Sequence, residues 1–148
     1  MSALHAATGS WQFWALLSAL AAALTAVFAK LGVKDIPPDV ATFVRTIVIL
    51  VFITALCYVS GQLGFVKTLS RKALGFLVLS GLATGASWIC YFRALSLGKA
   101  GQVASVDKLS VVLVALIAFI FLRERLSPTA LIGVLLIAIG SGLVAISD

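Results

Sequence analysis

Residues 103–146 read VASVDKLSVVLVALIAFIFLRERLSPTALIGVLLIAIGSGLVAI. Two long apolar runs, 103–122 and 128–146, flank one short connector that holds Arg123, Glu124 and Arg125. Ser127-Pro128 closes the connector. A serine there can accept a bond from the open amides of a helix start, and proline at the first helical position loses nothing by lacking an N–H. At 1.5 Å per residue each run is long enough to cross a hydrocarbon layer of ~30 Å. A backbone in hydrocarbon must satisfy its own hydrogen bonds, so both runs are predicted to be spanning helices.

Three further blocks of the same kind precede them, at about residues 12–29, 40–60 and 73–95. Ile36-Pro37-Pro38-Asp39 cannot continue a helix, and Asp39 can cap the next one. Gly61 and Gly64 loosen the second connector, Ser70 can cap the third helix, and Gly98 and Gly101 mark the third turn. The expectation is an all-α membrane protein, residues 1–148 forming a single domain of five transmembrane helices. Short connectors make consecutive helices antiparallel neighbours. Trp11 and Trp14 stand at the start of the first helix, where an aromatic belt would sit.

Composition agrees. The chain is 62% hydrophobic and 11% charged, against about 25% charge in a soluble domain. Its net charge of +6 does not point to nucleic acid, because the basic residues form no long run and sit mostly between apolar blocks. Loop charges of this kind favour anionic lipid head groups. Ala15–Ala29 has the small residues of a signal-peptidase site, but no Lys or Arg precedes it, so it reads as a retained first helix. Cys57 and Cys90 lie inside apolar blocks without metal-ligand spacing and read as free core cysteines.

The catalytic inventory is sparse. His5 is the one histidine and Glu124 the one glutamate, and there is no Walker motif, nucleotide fingerprint or HExxH. No enzymatic activity, metal or cofactor is expected. The informative residues are charges inside the blocks: Arg45 in the second, Arg93 near the end of the third, Asp107 and Lys108 in the fourth. Helix alternation puts all four toward one membrane face. Such charges are costly unless paired, hydrated or snorkelling. An ion pair of Asp107 with Arg45 or Arg93 is one resolution, and an anion-binding or coupling role for Arg45 and Lys108 is another. Trp88 and Tyr91 are three apart and share a helix face with Ser80 and Thr84, whereas Arg93 points away from Trp88. Trp88 reads either as a packed aromatic or as cavity wall. Gly81 and Gly85 form a GxxxG spacing that permits close helix packing, and Gly133, Gly140 and Gly142 act similarly in the fifth block.

Residues 91–126, YFRALSLGKAGQVASVDKLSVVLVALIAFIFLRERL, resemble the signature of EamA-type members of the drug/metabolite transporter superfamily. Tyr91–Leu95 matches the YxAL-like helix end, Gly98–Ala104 the small-residue turn, Leu109–Phe121 the leucine-rich helix and Arg123–Leu126 the closing turn. Residues 16–33, LLSALAAALTAVFAKLGV, fit the usual opening helix. Many members carry proline after the Leu-Ser of the fourth helix. Val111 follows Leu109-Ser110 here, so the resemblance carries no kink to this point. The Asp107-Lys108 pair is also outside the general pattern.

The resemblance implies a secondary transporter of small metabolites or drugs, working by alternating access in a bacterial inner (cytoplasmic) membrane. Typical members have two such repeats, and this sequence shows one, so the second half is expected from a homodimer or a paralogue. Sites in such folds lie at the repeat interface. Trp88 and Tyr91 would then be wall, Arg45 and Lys108 would meet an anionic substrate group, and Asp107 would couple protons or hold Lys108. Alternatives are a lipid-carrier flippase subunit and a non-transporting partner in a larger membrane complex. A small multidrug-resistance pump fits less well, since the first helix has no carboxylate.

Charge placement bears on topology. With five crossings, one side receives Lys67, Arg71, Lys72, Arg123 and Arg125, and the other Lys30, Lys34, Arg93 and Lys99, with Arg45 and Lys108 deeper but nearer the second. Orientation follows Lys/Arg asymmetry, and here there is almost none. An antiparallel homodimer of one gene product inserted both ways is therefore expected.

Overall fold

A computed structural model describes residues 9–147; His5 lies outside the described residues. Among the described residues five helical spans are long and apolar enough to cross a membrane. They are α1, Trp11–Gly32; α2, Pro38–Val59; α3, Arg71–Leu97; the fourth span, Ala100–Leu122; and α6, Pro128–Ala145. The fourth span comprises α4, Ala100–Asp107, α5, Leu109–Ile117, and a π-helical turn, Ala118–Leu122. No strand occurs among the described residues. Most large apolar side chains are exposed, Leu82 and Leu136 among them, while among the described residues Ala26, Val33, Phe92 and Leu95 are the buried apolar ones. In water that surface would be untenable; in lipid it is the solvated side. This is an all-α integral membrane protein.

The chain forms two compact units. One gathers the described residues up to Leu31 with those from Gly98 onward; the other is Gly32–Leu97. In the first, α4 and α5 both pack on α6. Its ends are tied by two polar bonds: Lys30 Nζ donates to the Gly98 carbonyl at 2.8 Å, and Gln102 Nε2 donates to the Ser147 carbonyl at 2.8 Å. In the second, α2 packs on α3. The less exposed positions recur at 38, 42, 45 and 49 on α2 and at 85, 88, 92 and 95 on α3, the three-and-four spacing of a helix-packing stripe.

Caps follow the sequence in two places. The amide of Ala73 donates to Ser70 Oγ at 3.1 Å, and that of Ala130 to Ser127 Oγ at 3.2 Å. Elsewhere the structure corrects the expectation. Asp39 is not the cap of α2; Pro37 holds that position, Pro38 starts the helix, and Asp39 falls in the first turn. Two prolines preset the backbone for a helix start, and the carboxylate there still faces the positive end of the helix dipole. The second connector is not loose throughout: after Gly61, left-handed at φ 69°, Gln62–Thr68 form a 3-10 helix. Gly101 lies inside α4 rather than in the turn.

The fourth span is not one continuous α-helix. At Lys108 the amide donates to the Ser105 carbonyl at 3.2 Å, and the Lys108 carbonyl accepts from Val111 at 3.0 Å. Both are three-residue closures, so the helix tightens locally without any proline. At its far end it widens. The amide of Glu124 reaches the Ala118 carbonyl at 3.2 Å, and Arg123 adopts the left-handed conformation at φ 55°. This resembles a Schellman ending expanded by one residue, with arginine where glycine is usual.

Polar side chains within the spans turn back on their own helices. Thr42 Oγ1 donates to the Pro38 carbonyl at 2.9 Å, Thr46 Oγ1 to Thr42 at 2.8 Å, Thr84 Oγ1 to Ser80 at 2.9 Å and Ser105 Oγ to Gly101 at 2.8 Å. Hydroxyls satisfied in this way can sit in an apolar layer without a neighbour.

Candidate functional site

The Gly32–Leu97 unit brings a cation and aromatic rings together inside its spans. The Arg45 guanidinium lies over the Trp88 ring, 4.3 Å from the centroid, with the Phe92 ring at 5.6 Å. Tyr91 is within electrostatic reach of the same group. Arg45 is seven residues into α2, about 10 Å from its start, and Trp88 is nine residues from the end of α3, about 13 Å. The cluster therefore sits roughly a third of the way across a ~30 Å apolar core.

Helix phase explains the arrangement. Trp88 and Phe92 are one turn apart on the α3 face that carries the less exposed positions, and Arg45 belongs to the corresponding stripe of α2. Phe92 is nearly fully buried, while Arg45, Trp88 and Tyr91 are half-buried. Among the described residues Arg45 has no ion-pair partner. A guanidinium over an indole face gains about 0.5–2 kcal/mol, and its planar fork carries N–H donors along its edge. Such an edge can grip a carboxylate or phosphate with two parallel bonds.

Arg93 is exposed on α3 and does not join the cluster. Phe92 is the member that sequence reading missed; its spacing of four from Trp88 was the available signal. Asp107 and Lys108 lie in the other unit, exposed at the tightened point of the fourth span. They are seven and eight residues into that span, about 10–12 Å from its start. Cys57 and Cys90 are free thiols. Among the described residues no group of His, Cys, Asp and Glu could hold a metal. At Gly81 and Gly85 an added Cβ would meet nothing within 4 Å, so neither glycine serves a close helix approach within its own unit.

A cation held by aromatics within apolar spans can bind a small polar solute. Residues 9–146 match the EamA-like transporter family. The chain belongs to that family. One relative is described as an uncharacterized transporter in the cobO 3' region of a Sinorhizobium species. It is 54% identical over 137 residues, covering 93% of this chain and 97% of the relative. The EamA match thus takes up nearly the whole chain, and the relative is of the same single-repeat length. No solved structure matches. The protein is a transporter-family membrane protein.

Proposed function

We propose that the protein is a secondary transporter of small metabolites or drugs that carry an anionic group, bound at Arg45. The observation that carries this reading is the Arg45 guanidinium over the Trp88 ring inside the spans, without a carboxylate partner among the described residues. A charge kept in an apolar layer is costly and is retained where it meets a solute or ion. Trp88 holds the guanidinium plane, Phe92 backs it, and Tyr91 contributes a phenol at the wall. Lys108 offers a second cation, and Asp107 either holds it or couples proton movement.

The working unit is an antiparallel homodimer in a bacterial inner membrane, moving by alternating access. Near-equal Lys/Arg counts on the two sides support insertion in both orientations. Gly81, exposed on α3 with nothing within 4 Å of an added Cβ, provides a small-residue position for a neighbouring copy.

The test is uptake by purified protein in liposomes. Proteoliposomes should accumulate a labelled small organic anion, and Arg45→Ala should reduce kcat/KM at least tenfold while Arg45→Lys retains part of it. Equal uptake by Arg45→Ala would remove the site from the mechanism. Absence of uptake together with scrambling of a lipid-linked carrier would replace the reading with a flippase.

A further inference from the structure

A second feature, in the other unit, is independent of the Arg45 cluster. Between the fourth span and α6 runs an apolar groove of about 470 Å³. Val112, Ala115 and Phe119 line one wall, Leu131 and Val134 the other, and Arg125 is the charged residue on the lining. Arg125 belongs to the connector, where two spanning helices meet the membrane surface. From the end of the π turn to Val112 is ten residues, about 15 Å. That equals the depth of one leaflet, half of a ~30 Å core. The groove thus has a cation at interfacial height and a purely apolar trough below it.

We propose that this groove holds one anionic phospholipid, its phosphate on Arg125 and one acyl chain along Val112, Ala115, Phe119, Leu131 and Val134. Charge complementarity selects the occupant. The chain has 11 basic against 5 acidic residues, so another copy offers Arg125 few counter-charges, whereas a bilayer surface offers phosphates everywhere. Arginine binds a phosphate through two parallel bonds, which gives a fixed headgroup position rather than diffuse attraction.

The experiment is native mass spectrometry of the detergent-purified protein titrated with phosphatidylglycerol or phosphatidylcholine. The wild type should retain one phosphatidylglycerol at least fivefold more readily than phosphatidylcholine. Arg125→Gln should abolish the preference, Arg125→Lys should keep part of it, and Ala115→Phe, which fills the trough, should reduce retention of either lipid. Circular dichroism and monodisperse elution of each variant establish that it is folded. Equal retention by Arg125→Gln and Ala115→Phe would overturn the proposal. So would an equal loss in Arg123→Gln, which would mean general charge attraction. Displacement of the lipid by glycerol phosphate at equal concentration would show a free-phosphate site instead. Cross-linking of two copies through cysteines placed at Val112 and Leu131 would show that a second chain fills the groove.

Discussion

Arg45 has a long flexible stem and a charge that an apolar layer disfavours, yet it is found against an indole rather than extended to the surface. Replacing Trp88 separates the support from the charge. Trp88→Phe keeps a weaker ring face and should raise KM for an anionic substrate about threefold, whereas Trp88→Leu removes the face and should raise it about tenfold, the equivalent of ~1.4 kcal/mol. Equal KM values for the two variants would show that the ring is mere packing. Lys108 gives a second residue-scale prediction. Lys108→Ala should cut transport of an anionic compound by more than fivefold while helical content and melting in detergent stay unchanged. Transport at the wild-type rate would exclude it from the path. The charges inside the spans were legible in the sequence because they interrupt apolar runs. Their partners were not: Arg45 could have snorkelled or paired with Asp107, and only coordinates place it on Trp88.

At the scale of the element, ends and interruptions carry the information. Ser127 caps α6 through the Ala130 amide, and Ser127→Ala should lower stability by about 1 kcal/mol. Arg123 occupies a left-handed conformation that disfavours any residue with a Cβ. Arg123→Gly should therefore raise stability by about 1 kcal/mol. Thermal denaturation in detergent micelles checks both, and opposite signs are expected. A destabilised Arg123→Gly would mean that the arginine side chain contributes more than its backbone costs. Ser70 and Ser127 were readable as caps because each precedes a long apolar run. The tightening at Lys108 was not readable, because no proline or glycine marks it and local hydrogen-bond geometry depends on packing against α6.

For the whole molecule, near-equal basic charge on the two sides bears on orientation and association. In a variant lacking Cys57 and Cys90, single cysteines at Thr68 and at Asp35, in connectors on opposite sides, should both be labelled from outside, each in a fraction of the molecules. Labelling at one position alone would mean a single topology and a separate inverted partner. Gly81→Ile should weaken self-association at least tenfold without unfolding the chain, since Gly81 is exposed and an added Cβ meets nothing within 4 Å there. Unchanged association would place the dimer interface elsewhere. The sequence by itself determined the fold class, the five spans and the family, because hydrocarbon imposes one requirement on every crossing segment: a long apolar run whose backbone bonds internally. It also marked Arg45, Trp88 and Tyr91 as residues of interest. Only the tertiary structure decided that Arg45 lies over Trp88 beside Phe92, that the fourth span tightens at Lys108 and widens at Ala118–Leu122, and that a groove opens beside Arg125. Those outcomes depend on which helix faces meet, and lipid-facing and protein-facing positions are equally apolar in the sequence, so hydropathy does not distinguish them.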